Sequence, residues 1–318
     1  MSFKWSFSRA LLRKTAPFRE QIEVRFPENA WMGWGRRPLA RRAEKAAQWM
    51  GWRFLAVEDG WIRSLGLGND PKIYSLVVDD LGIYYDATRP SRLERLLAAY
   101  DFVADSDLME KAEEAMALTR RFRIAKYNHA PMLRSAEARK IFGRREKERI
   151  LIVAQTAGDA SLTYGLADEP TPDLIRRARE EHPNAEIYLK IHPDVLAGLK
   201  LSDIDPAALP RWCRVIEGNY NPYSLLEHVD RVYTKTSGMG MEALILGKQV
   251  HCSGLPWYAG WGVTEDRVAS PRRERRLDVR ELFAAAYLIY PLYRDPVRNE
   301  MSSLAEILHR LARRRDGV

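Results

Sequence analysis

The sequence contains little cysteine and no cysteine pattern typical of a disulfide framework or a metal site. Cys213 and Cys252 are the two cysteines among 318 residues, and neither belongs to a Cys-x-x-Cys or Cys/His ligand spacing. This excludes a disulfide scaffold and a structural zinc site as organising features. With 46% hydrophobic and 30% charged residues, the composition predicts a folded globular protein of a reducing cytoplasm.

Long apolar runs and two familiar nucleotide motifs are also missing. The chain contains no stretch of about 18 consecutive apolar residues, and its first residues lack the features of a signal peptide. We therefore expect a protein that neither spans a membrane nor is exported by that route. The Walker loop Gly-x-x-x-x-Gly-Lys-Ser/Thr and the Gly-x-Gly-x-x-Gly fingerprint are absent, which excludes the commonest phosphate-binding loops.

Acidic residues are scarce at both ends of the chain. Residues 1–53 carry 12 Lys and Arg against 4 Asp and Glu, and residues 267–318 carry 12 against 7, although the whole chain has a net charge of only +8. Basic ends fit an anionic membrane surface, a nucleic acid or solvated helix faces. Nucleic acid is disfavoured because no known recognition signature is present. The mixture of aromatic and basic residues in 3–14 is typical of an interfacial helix, and a helix packed on its own core would show the same pattern.

The hydrophobic pattern predicts an α/β fold, because short apolar runs alternate with segments of helical period. The predicted strands are 30–34, 52–57, 75–78, 150–154, 186–190, 214–216 and 231–234. The predicted helices are 38–50, from about 91, 105–123, 172–181 and 240–246. Two Rossmann-like domains with parallel sheets, facing one another across a cleft, would explain this order. The predicted domains are 1–145 and 146–290, and a basic C-terminal helix in 291–318 is expected to return to the first domain.

Two clusters containing carboxylates directly follow predicted strands, at the sheet edge where open α/β folds bind ligands. The first is Glu58-Asp-Gly-Trp-Ile-Arg63, in which Glu58 and Asp59 are paired acids and Arg63 follows closely. Mutual repulsion and partial burial can adapt one such acid to proton transfer, whereas a polar turn is the structural alternative. The second is Gln155-Thr-Ala-Gly-Asp-Ala-Ser161, whose small residues would let a ligand reach Asp159. That carboxylate could serve as nucleophile, base or metal ligand, or only as part of a turn.

Two further clusters offer phosphate-binding groups. In Lys190-Ile-His-Pro193, strand alternation places Lys190 and His192 on the same side, and Pro193 would keep His192 extended. The segment Thr234-Lys-Thr-Ser-Gly-Met-Gly-Met-Glu242 predicts a strand, a turn and a helix, so that Thr236, Ser237 and free amides could hold a phosphate. A simple helix cap at Ser237 is the structural alternative.

Aromatic and acidic residues outside these clusters give weaker signals. The loop 254–262 contains Trp257 and Tyr258, which could stack on a sugar or pack in the core. Asp79, Asp80 and Asp86 lie in a turn-rich setting that favours a structural role over a metal site. Two clusters that could supply carboxylates and two that could hold a phosphate together indicate a nucleotide-sugar enzyme.

Several of these motifs, in the same order, resemble one known family. They are Glu58-Asp-Gly-Trp-Ile-Arg-Ser-Leu-Gly-Leu-Gly68, Ser75-Leu-Val-Val-Asp-Asp-Leu-Gly-Ile-Tyr-Tyr-Asp-Ala87, Gln155-x-x-x-Asp-Ala-Ser161, Lys190-Ile-His-Pro-Asp-Val195 and Gly254-Leu-Pro-Trp-Tyr-Ala-Gly-Trp-Gly-Val-Thr264. The chain from about Trp31 to Tyr293 is similar to the capsular polysaccharide β-Kdo transferases of the KpsC type. The resemblance implies a GT-B-like fold and retaining transfer of Kdo, an eight-carbon acidic keto-sugar, from CMP-β-Kdo to a Kdo-terminated glycolipid.

The resemblance also implies roles for individual residues. Asp159 would be the nucleophile that forms a covalent Kdo adduct, and Glu58 the acid/base. The cytidylate phosphate would be held by His192 of the His-Pro pair, Thr236 and Ser237, to which we add Lys190 and Gln155. Possible substrate contacts are Asp59, Arg63, Ser161, Trp257 and Tyr258. No metal or other cofactor is expected.

Family members usually carry two such modules in tandem, and this chain has room for one. A free-standing module and half of a larger enzyme fit the sequence equally, and the two known β-Kdo linkages stay open. Alternative functions are an inverting CMP-sugar transferase of sialyl type and a non-catalytic scaffold of capsule assembly. Expected partners are CMP-Kdo, the glycolipid acceptor, the anionic inner face of the bacterial inner membrane and other capsule-assembly proteins.

Overall fold

The chain folds into two compact units. The computed structural model describes residues 4–66, 70–191, 195, 200–205 and 208–317. The first unit comprises residues 1–129 and 280–318, and the second comprises residues 130–279. The division therefore lies at His129/Ala130 and Val279/Arg280, whereas the boundaries predicted from the sequence were 145/146 and 290/291.

Within the described residues, the first unit is built on a sheet of six strands in the order β1-β2-β3-β4-β11-β12. These strands are β1 (Lys4–Trp5), β2 (Ala30–Trp34), β3 (Arg53–Asp59), β4 (Ser75–Asp79), β11 (Pro291–Asp295) and β12 (Glu300–Met301). β1, β2 and β3 are parallel, but β4 is antiparallel to both β3 and β11. The sheet of this unit is therefore mixed, with the expected parallel pairing in β1–β3 and antiparallel pairing around β4. A parallel neighbour needs a crossover, usually a helix, and the described part of the connection from β3 to β4 contains none.

The helices of the first unit begin where the sequence offers a suitable residue. Pro38 occupies the first turn of α3, Ser91 caps α4 and Asp105 caps α5. Residues 4–7, part of the segment whose pattern fits an interfacial or a core-packed helix, instead contain β1, and the helix that follows begins after the cap Ser8. The helices are α1 (Arg9–Thr15), a 3-10 turn (Ala16–Phe18), α2 (Arg19–Arg25), α3 (Pro38–Trp49), α4 (Arg92–Ala99) and α5 (Ser106–Phe122).

Within its described residues, the second unit has a six-stranded sheet in the order β10-β9-β8-β5-β6-β7, and every pairing is parallel. The strands are β5 (Arg149–Val153), β6 (Glu186–Lys190), β7 (Cys213–Ile216), β8 (Arg231–Thr234), β9 (Gln249–Cys252) and β10 (Glu265–Asp266). The helices are α6 (Ser135–Phe142), α7 (Ala160–Tyr164), α8 (Thr171–Glu181), α9 (Pro222–Leu226) and α10 (Met239–Ile245). Buried aliphatic residues of β5 and β6 pack against Leu174, Ile175 and Ala178 of α8.

The C-terminal segment belongs to the first unit. It contains α11 (Val279–Phe283), a π-helical turn (Ala284–Ile289) and, after β12, α12 (Leu304–Asp316) with a capping box at Ser303. α12 packs against α5, and Arg315 Nη1 donates to the Phe122 carbonyl at 2.6 Å. Arg314 pairs with Asp295 at 3.5 Å. Among the described residues, no helix is long and apolar enough to cross a membrane.

Candidate active site

The order of strands in the second unit creates a point at which the chain reverses its direction of winding. From the central strand β5 the chain adds β6 and then β7 on one side, and returns to the other side of β5 to add β8 and β9. Such a reversal leaves a crevice beyond the carboxyl ends of the two strands that flank it, where ligands of open α/β folds bind. The loops that follow β5 and β8 contain two of the four clusters predicted from the sequence.

Asp159 lies at the end of the loop after β5 and caps the short helix α7. Its Oδ1 accepts hydrogen bonds from the Ser161 amide and from Ser161 Oγ, both at 2.9 Å. Its Oδ2 lies 3.5 Å from Gln155 Nε2. The carboxylate is only partly buried, so that it is oriented by neighbouring donors and still reachable. Geometry of this kind suits a nucleophile that must keep a fixed position.

Gln155 connects this loop to the loop after β8. Its Nε2 donates to Thr236 Oγ1 at 3.0 Å and to Ser161 Oγ at 3.2 Å, while its Oε1 accepts from the Thr236 amide at 2.9 Å. Ser161 Oγ and Thr236 Oγ1 are themselves 3.0 Å apart. Residues 81 positions apart in sequence are therefore joined in one polar network around Asp159. The predictions for Gln155, Ser161 and Thr236 converge on the same place.

The close approach of the two loops depends on glycine. A Cβ atom at Gly165 would lie 2.3 Å from the Ser161 carbonyl oxygen and 2.6 Å from Thr236 Cγ2. A Cβ atom at Gly254 would lie 2.8 Å from both the Gly165 carbonyl oxygen and Thr236 Cγ2. Because even alanine would force these backbones apart, the network around Asp159 requires glycine at both positions.

The turn after β8 is held from within the unit. Ser237 Oγ accepts a hydrogen bond from the Met239 amide at 3.3 Å, and its carbonyl accepts one from the Tyr258 hydroxyl at 2.5 Å. Ser237 Oγ thus bonds to the first amide of α10, although the N-cap position itself is occupied by Gly238. Tyr258 and Trp257 are buried, which favours the core-packing interpretation of the aromatic loop. Tyr258 supports the turn through its hydrogen bond to the Ser237 carbonyl.

Lys190 ends β6 beside this region. Burial lowers the pKa of its ammonium group, and the nearby carboxylate of Glu242 on α10 opposes that effect. A cation so placed is costly in isolation and would gain from a bound anion. His192 and Pro193, which were predicted with it, lie outside the described residues.

The first unit carries the other candidate acid at the end of β3. Glu58 Oε1 accepts a hydrogen bond from the Asp59 amide at 3.1 Å. Burial is the largest influence and raises the pKa of Glu58 to about 7, in spite of the nearby Lys126 ammonium group, which lowers it. A carboxyl group that titrates near neutral pH can both give and take a proton under physiological conditions.

Tyrosine side chains and a glycine form the wall beside Glu58. Gly35 has a φ of +48°, and a Cβ there would lie 2.2 Å from the Tyr85 hydroxyl oxygen and 2.9 Å from Glu58 Oε2. The Tyr85 hydroxyl accepts a hydrogen bond from the Arg36 amide at 2.9 Å. Burial, and secondarily the charge of Glu58, raises the pKa of Tyr85, so this phenol stays neutral beside the acid.

Asp59 and Arg63, predicted as possible substrate contacts, are engaged with one another. Arg63 Nε donates to Asp59 Oδ1 at 3.1 Å, and Arg63 Nη1 donates to the Lys72 carbonyl at 3.3 Å. Arg63 is 1% exposed. The pair therefore braces the segment after β3, a structural role that differs from the polar turn considered for this cluster.

Lys126 is the residue of this region that sequence reasoning missed. Its carbonyl accepts from the Arg63 and Ser64 amides at 2.9 and 3.3 Å, which brings the segment after α5 alongside the Glu58 cluster. Burial alone would lower the pKa of Lys126, but the neighbouring Tyr84, Tyr127, Glu58 and Asp59 outweigh it and raise the pKa. No motif surrounds this lysine, so the sequence contained no signal for its position.

The three aspartates that follow β4 have structural partners. Asp79 Oδ1 accepts from the Leu81 and Gly82 amides, both at 2.9 Å, and Asp79 Oδ2 accepts from the Tyr290 hydroxyl at 2.9 Å. Asp80 pairs with arginines on β3 and α4, and Asp86 pairs with Arg36 at 2.8 Å. This fits the preferred structural role. Among the described residues, no group of three or more His, Cys, Asp or Glu could hold a metal ion.

Comparison with known proteins identifies the family of this chain. Residues 29–294 match the profile of the family described as capsule polysaccharide biosynthesis protein. The chain belongs to that family. This membership agrees with the resemblance found in the sequence motifs.

Individual proteins are similar to this chain in sequence and in structure. The Capsule polysaccharide modification protein LipA of Neisseria meningitidis serogroup B is 43% identical over 293 residues, which are 89% of this chain and 41% of LipA. The chain thus spans about two fifths of that relative. The solved Thermosulfurimonas dismutans KpsC beta Kdo 2,4 transferase is 40% identical with a TM-score of 0.87, covering 98% of each chain. The beta Kdo 2,7 transferase of the same KpsC is 29% identical with a TM-score of 0.72, again over 98% of each. The fold of this chain, with its two α/β units, is therefore similar to that of the KpsC transferases.

Proposed function

We propose that this chain is a retaining β-Kdo glycosyltransferase of capsule biosynthesis, which transfers Kdo from CMP-β-Kdo to a Kdo-terminated glycolipid. The observation that carries the proposal is the likeness to the KpsC 2,4 transferase over 98% of both chains. The higher identity and TM-score with that module than with the 2,7 module favour the 2,4 linkage. The arrangement of Asp159 and the raised pKa of Glu58 support the chemistry.

In the first step, an Asp159 carboxylate oxygen attacks the anomeric carbon of the bound Kdo. The bond from that carbon to the cytidylate phosphate breaks, and its electron pair leaves with CMP. The hydrogen bonds from Ser161 and the nearby Gln155 amide hold Asp159 for the attack. The product is a Kdo ester of Asp159 with inverted configuration, as in the retaining glycosidases.

In the second step, a hydroxyl of the acceptor attacks the same carbon and displaces the Asp159 carboxylate. Glu58 takes the proton of that hydroxyl, which requires its ionised form. The second inversion restores the β configuration. CMP leaves as an anion, so the demand for proton transfer falls on the acceptor step, and a pKa of about 7 matches that task.

Phosphate binding is assigned to groups of the chain itself. Thr236 and Ser237 lie at the start of α10, Gln155 orients Thr236, and Lys190 supplies a positive charge. His192 and Pro193 are proposed as further contacts to CMP-Kdo because they belong to the Lys190-Ile-His-Pro193 motif. No metal is part of the proposal.

The decisive experiment uses a variant that performs the first step and fails in the second. With CMP-Kdo, Glu58→Gln is expected to accumulate a covalent adduct, seen by intact-protein mass spectrometry as a gain of one Kdo residue. Peptide mapping should place the adduct at Asp159. The matched control Asp159→Asn should release no CMP and gain no mass.

Other results select the alternatives. An inverting CMP-sugar transferase would form product without any adduct in Glu58→Gln or in the wild type. A non-catalytic scaffold would release no CMP from CMP-Kdo with any acceptor. The linkage follows from NMR of the product formed on a short Kdo acceptor, and a 2,7 linkage would contradict the assignment to the 2,4 type.

We further propose that the chain acts on the inner face of the bacterial inner membrane, beside the glycolipid acceptor and other capsule-assembly proteins. The support is the excess of Lys and Arg in residues 1–53. The C-terminal arginines contribute less than the sequence suggested, because Arg314 and Arg315 bond to groups of their own unit.

A further inference from the structure

One surface of the first unit combines exposed aromatic rings with cations. Residues 4–18 contain four Lys or Arg and no Asp or Glu. Trp5 is 49% exposed, Phe7 51% and Leu12 37%, although large apolar side chains are normally buried. We name this surface the aromatic-basic patch, and it consists of Trp5, Phe7, Arg9, Leu12, Arg13, Trp31 and Met50.

The rings of the patch support one another. The Phe7 and Trp31 ring centroids are 4.7 Å apart, and those of Trp5 and Trp31 are 6.4 Å apart. Trp31 Nε1 lies 3.3 Å from Met50 Sδ. β1 holds Trp5 at the edge of the sheet by parallel pairing with β2. The aromatic side chains are thus held in place by the sheet and by contacts with one another.

The arginines of the patch are available to an external partner, because Arg9 and Arg13 lie exposed on α1. The two nearby lysines have partners within the unit. Lys4 Nζ donates to the Glu28 carbonyl, and Lys14 Nζ lies 3.9 Å from the centroid of the Trp34 ring. The arginines of α12 differ, since Arg314 and Arg315 are bonded within the unit.

From this geometry we infer that the aromatic-basic patch docks into the headgroup region of an anionic lipid bilayer. Tryptophan and phenylalanine rings favour the boundary between headgroups and acyl chains, and nearby Lys and Arg are attracted to anionic lipids. Charge complementarity favours this occupant over a second copy of the chain, because self-association would bring the exposed Arg9 and Arg13 of both copies face to face. The inference rests on the proposed membrane location and not on the transfer reaction.

The test is sedimentation with vesicles of phosphatidylglycerol and phosphatidylcholine, compared with phosphatidylcholine alone, at low salt. Trp5→Ala/Phe7→Ala is expected to lower the partition coefficient about tenfold, because two insertable rings are lost. Arg9→Gln/Arg13→Gln is expected to lower it by about 25-fold on anionic vesicles, since each of the two charges contributes about a factor of five. Salt should weaken wild-type binding through screening.

Controls separate docking from folding and from catalysis. Trp212→Ala removes a tryptophan of the second unit that is 38% exposed, and should leave vesicle binding unchanged. Transfer to a short water-soluble acceptor should be unchanged in Trp5→Ala/Phe7→Ala, so failure of the reaction and failure of docking are distinguishable. Undiminished vesicle binding by Trp5→Ala/Phe7→Ala would overturn the inference. So would a patch variant whose only change is a smaller sedimentation coefficient, because that identifies a protein interface.

Discussion

Glu58 lies near the end of β3 and Asp159 follows β5, and the surroundings of the two carboxylates differ. Glu58 is placed against Tyr85 and a close glycine backbone, where burial raises its pKa to about 7. Asp159 is surrounded by donors, with two hydrogen bonds from Ser161 and the Gln155 amide nearby. A desolvated acid that titrates near neutrality is suited to proton transfer, whereas an acid fixed by donors is suited to attack. The same chemical group thus has different surroundings in the two units.

The largest expected effect comes from removing the proposed nucleophile. Asp159→Asn should reduce transfer by at least about a thousandfold, because no covalent intermediate can form. Initial rates of CMP release with donor and acceptor measure this. Circular dichroism should show an intact fold, since asparagine can still cap α7. If Asp159→Asn keeps activity within tenfold of the wild type, Asp159 is not the nucleophile and the proposed difference in role between Asp159 and Glu58 is wrong.

The proposed base should give a smaller loss with a characteristic pH dependence. Glu58→Gln should reduce transfer about a hundredfold. In the wild type, kcat/KM should rise with pH and level off above about 7, because the ionised form is required. That rising limb should be absent from the residual activity of Glu58→Gln. A limb that survives the substitution must belong to another group.

The buried acid should also affect stability. Its pKa is raised from 4.5 to about 7 in the folded state, so the associated stability is fully present below pH 4.5 and is lost as pH rises through 7. Glu58→Gln should therefore unfold at higher urea concentration than the wild type at pH 8, by up to about 3 kcal/mol in unfolding free energy. The difference should shrink towards pH 5. Equal pH dependence of the two proteins would show that Glu58 is not desolvated.

The smallest expected effect concerns Lys126. Its charge lowers the pKa of Glu58, so Lys126→Met should raise that pKa and move the rising limb to higher pH. The rate at pH 7 should fall about fivefold, as expected for a displacement of about one pH unit, and recover at pH 9. Lys111→Met, which removes an exposed lysine of the same unit, is the control. A loss that persists at pH 9 would assign Lys126 a role in substrate binding.

Elements with strong local signals were predictable. β2, β6 and β8 begin and end at the predicted residues, and α5 differs from its predicted range by one residue at each end. Their apolar runs and caps are contained in the elements themselves. β11 was missed, because Pro291–Asp295 gains its strand conformation by pairing with β4, more than 200 positions away. β9 and β10 are short strands and were likewise missed.

The candidate site was predictable to a similar depth. The rule that ligands bind beyond the carboxyl ends of strands predicts from the sequence alone that Gln155, Asp159 and Thr236 lie at one edge of the sheet. Their hydrogen bonds then follow from the strand order. The mutual pairing of Asp59 with Arg63, and the burial of Tyr258, could not be predicted because both depend on which side chains fill the surrounding space.

The sequence by itself determined the α/β alternation and the parallel second sheet, because both follow from local periodicity and residue type, and it singled out the two carboxylates as candidates. Only the tertiary structure decided what those carboxylates can do. The raised pKa of Glu58 comes from burial and from Lys126, which is far along the chain, and Asp159 is held through Gln155 and the opposing loop. Burial and the distances between charges depend on the folded structure, because residues that are far apart in the sequence become neighbours only in the fold.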